Sequence, residues 1–162
     1  MRKAIRTSLN RTVKVPVRYL PKGLTRKDKE SQKKMLLKSR KMYKKGTYFT
    51  RKKLASFKSK PSNHVIRAKE IYKVDQISPT KELAEKTGCS INALQKIVKK
   101  GEGAYFSSGS RPNQTAQSWG FARLASAITG GKSALVDYSI LKEGCKPNSR
   151  ALRLANGSKS KK

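Results

Sequence analysis

The sequence predicts a mainly α-helical protein of the α+β class. We expect a small helical domain containing a helix-turn-helix-like hairpin, with one or two short strands and basic extended tails. Apolar residues recur at spacings of three and four in several segments, which is typical of amphipathic helices. Helix-capping residues stand at the ends of these segments. Strand-like alternation is confined to two short stretches. A length of 162 residues allows one domain, or one domain with tails.

The first 61 residues are predicted to hold a basic extension and a basic arm. Residues 1–24 form the extension, where the alternation from Val13 to Tyr19 indicates a short strand. Residues 25–61 form the arm. Thr25 caps its main helix, which ends near Gly46, and a short second helix is expected from Arg51 to Phe57.

Residues 62–156 are predicted to be the folded helical core, followed by a basic tail at 157–162. A helix that ends at Gly88 is followed by one that Ser90 caps. This helix-glycine-helix order is that of a helix-turn-helix unit, and the alternative is a helical hairpin that only builds core. The inward stripe of the second helix is Ile91, Leu94, Ile97 and Val98. Its outer polar contacts would be Ser90, Asn92, Gln95, Lys96, Lys99 and Lys100.

Four further elements of this core are predicted. A helix is expected from about Ser62 to Lys73, and another from Thr115 to Ile128, where Gly130-Gly131 ends it. The alternation from Leu135 to Leu141 indicates a short strand. A last helix begins at Ser149.

Charge restricts the class of partner. The net charge is +31, from 40 Lys and Arg against 9 Asp and Glu, and residues 1–73 hold 25 of the cations but 3 of the acids. A chain this cationic repels itself, so we expect a polyanionic partner. Nucleic acid bound without sequence preference is the first candidate, and an anionic membrane face or an acidic protein surface is the second. No run of eighteen apolar residues occurs, so no membrane-spanning helix is predicted.

The basic arm carries most of the predicted polyanion contacts. After Glu30 no acid occurs for 39 residues, whereas solvated helices usually mix charges of both signs. The predicted contacts are Lys33, Lys34, Lys38, Arg40, Lys41, Lys44, Lys45, Arg51, Lys52 and Lys53. Aromatic residues at Tyr43, Tyr48 and Phe49 interleave with these cations. They could stack on unpaired bases, but we expect them to anchor the core.

No catalytic or metal-binding constellation is found. Cys89, Cys145 and His64 lie far apart, so no zinc site is predicted. The two cysteines are expected to be reduced, with a disulfide as the alternative. The stretch 129–133 lacks the first glycine of a phosphate-binding loop. We therefore predict no metal, no cofactor and no enzymatic activity.

A structured loop is predicted between Ser107 and Trp119, where small residues and Pro112 favour tight turns. Polar groups here could bind a ligand or partner, and an enzyme of unfamiliar type would have to use them. Fixing the loop itself is their commoner role. The candidates are Ser107, Ser108, Ser110, Arg111, Asn113, Gln114 and Trp119.

Four stretches of the chain carry a family resemblance. They are SRKMYKKGTYFTRKK, ISPTKELAEKTGCS, KGEGAYFSSGSRPNQTAQSWGFARLASAITGGK and DYSILKEGC. Through them the chain, from about Lys22 onward, resembles an uncharacterised domain of giant, nucleocytoplasmic large DNA viruses that infect algae and protists. The resemblance implies a viral source and brings no established activity. It implies as partners the packaged genome, capsid or other virion proteins, and the anionic face of an internal membrane.

Together these observations predict a non-enzymatic basic structural component of a large DNA virus virion, of the minor-capsid or capsid-lining type. It would reside in the virion and, in infected cells, in the cytoplasm or nucleus. The alternative is a helix-turn-helix DNA-binding protein that packs or regulates the viral genome.

Overall fold

The computed structural model describes residues 3–6 and 12–160, with side chains from Val15 onward. The described chain is mainly helical. Its α-helices are α1 (Arg26–Lys44), α2 (Asn63–Tyr72), α3 (Lys81–Thr87), α4 (Ile91–Ser107), α5 (Ala116–Ile128), α6 (Lys132–Val136), α7 (Tyr138–Gly144) and α8 (Arg150–Ser160). Strands β1 (Lys3–Arg6) and β2 (Thr12–Val15) pair antiparallel, with Lys3 opposite Val15 and Arg6 opposite Thr12.

The predicted strand from Val13 to Tyr19 is not extended throughout. Its second half, Val17–Tyr19, is a 3-10 helix in which the Tyr19 amide donates to the Pro16 carbonyl over 3.0 Å. Tyr19 and Leu20 are buried, so the turn places both side chains in a core, which a continuous strand would not do.

The chain divides into two compact units. The first comprises Met1–Lys60 and Ala104–Ala116, and the second comprises Pro61–Gly103 and Gln117–Lys162. The loop between α4 and α5 therefore belongs to the same unit as the basic arm, whereas the sequence had placed it in the 62–156 core. The predicted basic tail at 157–162 is helical as far as Ser160, where α8 ends.

Helix α1 organises the first unit and lies where it was predicted. The Thr25 hydroxyl accepts from the Asp28 amide over 3.2 Å at its start, and Gly46 follows its end with φ 81°. Leu36 is fully buried on its inner face, together with Tyr105 of the returning segment. The outer face of α1 is therefore free to carry charge.

The predicted short helix from Arg51 to Phe57 is wrong, because this segment is irregular. Its backbone amides and carbonyls form hydrogen bonds with side chains that are distant in sequence. The Asn113 side chain accepts from the Leu54 amide over 2.6 Å and donates to the Phe57 carbonyl over 2.7 Å, while the Asp28 carboxylate accepts from the Ser56 amide over 3.0 Å. We call residues 47–57 the strap.

The second unit is built around α4 and α5. Leu94 and Ile97 of α4 and Leu124 of α5 are fully buried. A Cβ on Gly101 would come within 2.6 Å of the Gly120 Cα, so two glycines allow the two backbones to approach closely. Helix α4 continues past Gly101, where the sequence composition changes, as far as Ser107.

The predicted strand from Leu135 to Leu141 is also wrong, since α6 and α7 occupy this region. A strand would have buried Val136, but Val136 is 67% exposed and Asp137 is fully buried. The Arg123 guanidinium donates to both Asp137 carboxylate oxygens over 2.8 Å, and this bidentate pair stabilises the break between the two helices.

The two cysteines are joined by a disulfide, which corrects the expectation of a reduced pair. The backbone brings them together: the Ser90 amide donates to the Gly144 carbonyl over 2.8 Å, and the Lys146 amide donates to the Gly88 carbonyl over 2.9 Å. Because 56 residues separate Cys89 from Cys145, their sequence context gave no sign of this pairing.

A candidate polyanion-binding site

The outer face of α1 carries a stripe of exposed lysines. They are Lys34, Lys38, Lys41 and, at the helix end, Lys45. Their spacings of four, three and four residues place them about one helical turn apart on one side of the helix. The opposite side, with Leu36, faces the unit's core.

The strap adds two more exposed lysines beside this stripe. The Lys52 amide donates to the Met35 sulfur over 3.3 Å, which holds the strap against α1. A groove of about 460 Å³ lies between the two segments. We define the α1 groove by the residues that line it, which are Asp28, Ser31, Lys34, Met35, Lys38, Phe49, Lys52, Lys53 and Leu54. It therefore combines four lysine side chains and one acidic side chain with the apolar side chains of Met35, Phe49 and Leu54.

The acids of this unit do not neutralise these lysines. Asp28 and Glu30 are the acidic residues in 15–60 and 104–116. The Asp28 carboxylate accepts from the Ser56 hydroxyl and amide, and these hydrogen bonds lower the pKa of Asp28 from its ordinary value. Glu30 pairs with Lys33 over 3.2 Å. Asp28 therefore carries one negative charge in the α1 groove against four lysines, and among the arm lysines Lys33 is the one that an acid pairs.

Arg51 does not contribute to this exposed charge, contrary to the sequence-based expectation. Its side chain is buried, and its guanidinium donates to the Ser39 hydroxyl and the Tyr105 carbonyl over 3.0 Å and to the Ser110 hydroxyl over 2.8 Å. It also lies 3.8 Å from the centroid of the Tyr105 ring. Burial lowers the pKa of the Arg51 guanidinium. Arg51 is a structural residue that joins the strap to α1 and to the 104–116 segment.

Arg40 is likewise directed partly inward. Its Nε donates to the Ser108 carbonyl over 2.9 Å, and burial lowers the pKa of its guanidinium. The remaining predicted cation, Lys44, is exposed near the end of α1. The structure therefore divides the predicted arm contacts into an exposed lysine set and two arginines that hold the unit together.

In the predicted ligand loop, Ser110 and Asn113 form hydrogen bonds within the first unit. Ser110 is fully buried, where its hydroxyl accepts from Arg51 and donates to the Arg111 carbonyl, so it is neither a nucleophile nor a ligand contact. Asn113 holds the strap. Ser107, Ser108 and Arg111 are exposed, whereas Gln114 is partly buried. Trp119, also partly buried, lies on α5 in the second unit.

Two tyrosines do not anchor the core as expected. Tyr48 is 68% exposed and Tyr43 is 37% exposed, with their ring centroids 6.2 Å apart. Phe106 supports Tyr48 from 4.9 Å. Phe49 is partly buried in the α1 groove, where the Lys38 ammonium lies 4.5 Å from its ring centroid. Sequence reasoning missed Met35 and Phe49 as groove residues, and the signal available for them was that each lies a few residues from a pair of adjacent lysines.

A family model described as a family of unknown function, DUF5824, matches residues 16–143. The chain belongs to this family. No curated protein and no solved structure matches the chain. The DUF5824 match includes all of the α1 groove and helices α3 and α4, and it stops before α8. The family description names no viral source and no activity, so any DUF5824 function must be argued from the surface chemistry.

The outer face predicted for α4 is exposed in this DUF5824 chain. Ser90, Asn92, Gln95, Lys96, Lys99 and Lys100 all lie at the surface. The described residues hold no group of three or more His, Cys, Asp or Glu side chains that could bind a metal. No helix among residues 3–6 and 12–160 is long and apolar enough to cross a bilayer.

Proposed function

We propose that this protein is a non-enzymatic basic structural component that binds the phosphate backbone of nucleic acid through the α1 groove. The observation that carries the proposal is the set of exposed lysines that outnumber the one acid beside them and form no salt bridge, namely Lys34, Lys38, Lys52 and Lys53. They stand on a helix and on a strap whose hydrogen bonds hold it in place. Phosphate contacts from such lysines need no base sequence, because counterion release drives them.

Virion localisation is part of the proposal and rests on the viral resemblance. The disulfide between Cys89 and Cys145 supports it, because disulfides persist in oxidising surroundings such as a released particle. In that setting the protein would line the capsid, contacting the genome on one side and capsid proteins on another. An anionic internal membrane is the competing polyanion.

The test measures binding of the full chain to random-sequence duplex DNA across a series of salt concentrations. Replacing Lys34, Lys38, Lys52 and Lys53 by Gln is expected to lower the affinity on the order of 100-fold near 0.1 M salt. The slope of log affinity against log salt should become shallower by about 3.6, because each of the four lost phosphate contacts removes close to 0.9. Fluorescence anisotropy of a labelled duplex measures both quantities.

A matched control removes the same charge from the second unit. Lys69, Lys132, Lys142 and Lys146 are exposed there, and changing all four to Gln should alter affinity by less than about 3-fold. Equal losses in the two variants would show that total charge, not the α1 groove, drives binding. Binding to vesicles of anionic lipid with none to DNA would assign the polyanion to a membrane and overturn the nucleic-acid proposal.

We propose as a second candidate that α3 and α4 form a helix-turn-helix unit that reads duplex DNA. The supporting observation is the exposure of Asn92 and Gln95 beside the fully buried Leu94. Against it, Ser90 pairs through its amide with Gly144, so the start of α4 packs on α7 and has less room to enter a groove. This contact favours a scaffold role for the hairpin and places the reader second.

Sequence preference distinguishes the second candidate. A protein that reads sequence would enrich one sequence from a pool of random duplexes. Changing Asn92 and Gln95 to Ala should remove that preference, because each lost contact to a base lowers the binding free energy for the preferred sequence by about 1–3 kcal/mol. Affinity for unselected DNA should change little. A pool that shows no enrichment with the unchanged chain would eliminate the reader.

A further inference from the structure

The exposed tyrosines at the end of α1 are not used by the fold or by phosphate binding. Tyr48 lies in the strap with 68% of its surface exposed, and Tyr43 lies in the last turn of α1. Tyr48 therefore presents an aromatic surface that a planar group can cover.

The Tyr48 ring is held by its neighbours. Its centroid lies 4.9 Å from that of Phe106, and Phe106 in turn meets the buried Tyr105 ring edge-on at 5.0 Å. A ring supported in this way loses little conformational freedom when a planar group stacks on it. Tyr48 is thus a prepared stacking platform.

The strap connects this platform to the lysines of the α1 groove. Phe49 follows Tyr48 directly and lies against Lys38 in the groove, and the groove lysines Lys52 and Lys53 come next in the strap. The groove adds Phe49, Met35 and Leu54 as apolar surface beside its lysines. Aromatic platforms interleaved with a cationic track are the combination used by proteins that bind single-stranded nucleic acid.

A double helix cannot use these rings, because its bases are paired and their faces are stacked inside. Only an unpaired base offers a π-face to Tyr48, while its phosphates remain available to the lysines. We propose that the nucleic acid recognised by this surface is single-stranded, with an unpaired base stacked on Tyr48 and the neighbouring phosphates on the lysines of the α1 groove. This inference rests on the proposed phosphate-binding function and specifies its substrate.

The test compares three polyanions on the full chain: a labelled oligothymidylate, a blunt duplex with the same number of phosphates, and inorganic polyphosphate. The unchanged chain should bind the oligothymidylate roughly ten-fold more tightly than the duplex. Tyr48→Ala should lower oligothymidylate affinity roughly ten-fold and leave polyphosphate affinity unchanged. Tyr48→Phe keeps the ring and should bind all three polyanions as the unchanged chain does.

The outcomes separate this inference from the function on which it rests. If the unchanged chain binds duplex and oligothymidylate equally and Tyr48→Ala has no effect, the single-strand inference fails while phosphate binding stands. If Tyr48→Ala weakens polyphosphate binding as much as oligothymidylate binding, Tyr48 does not act by stacking and the inference fails again. If none of the three polyanions binds, both proposals fail together.

Discussion

Replacing both Cys89 and Cys145 by Ala is expected to lower the free energy of unfolding of the second unit by about 4 kcal/mol, because the disulfide closes a long loop in the unfolded chain. The two residues are 56 apart in sequence. Alanine avoids burying a hydroxyl at positions that are 4% and 6% exposed. Trp119 is the one tryptophan of the chain and belongs to the second unit, so denaturant unfolding followed by its fluorescence measures the loss.

Reduction supplies the control for this prediction. A reducing agent should lower the unfolding midpoint of the unchanged chain by a similar amount and leave that of the double-alanine variant unaltered. An unchanged chain that is insensitive to reductant would contradict the prediction and restore the expectation of a reduced pair.

Replacing Arg51 by Met should destabilise the first unit by about 3 kcal/mol, because it removes hydrogen bonds from a charged, buried donor and leaves the Tyr105 carbonyl without that donor. Arg51→Lys should cost about 2 kcal/mol, since an ammonium cannot reproduce the planar fork that reaches Ser39 and Ser110 together. Near-ultraviolet circular dichroism of the tyrosines during thermal unfolding measures both effects.

The neighbouring Lys52 provides a matched control, since it carries the same charge on the same strap but is exposed. Lys52→Met should change stability by less than about 0.5 kcal/mol. A stable Arg51→Met variant that binds DNA as weakly as Lys52→Met would show instead that the Arg51 guanidinium faces the partner. The two variants thus distinguish a structural arginine from a binding one.

Helix ends were predictable wherever the deciding chemistry is local. Thr25 caps α1 by accepting from an amide three residues away, Thr80 does the same for α3, and Gly88 follows α3 in the left-handed conformation. Such contacts lie within a few residues of sequence, so residue type and spacing are sufficient. The mainly helical class follows from the same signals.

Two of the errors in secondary structure involve contacts with residues far along the chain. The strand expected at Leu135–Leu141 is replaced by two helices because Asp137 is buried against Arg123, 14 residues earlier. The helix expected at Arg51–Phe57 is absent because the Asn113 side chain, 56 to 59 residues away, forms hydrogen bonds with its backbone groups. Periodicity contains no information on contacts at such separations.

By itself, the sequence determined that the chain is mainly helical and strongly cationic, since these properties depend on residue type and local spacing. Only the tertiary structure decided which cations face outward. Arg51 and Lys52 are adjacent and equally charged, yet burial commits Arg51 to the fold while Lys52 stays exposed in the α1 groove. The physical reason is desolvation. A guanidinium can leave water when its donors find fixed acceptors, and only the folded chain brings the Ser39 and Ser110 hydroxyls and the Tyr105 carbonyl together around Arg51.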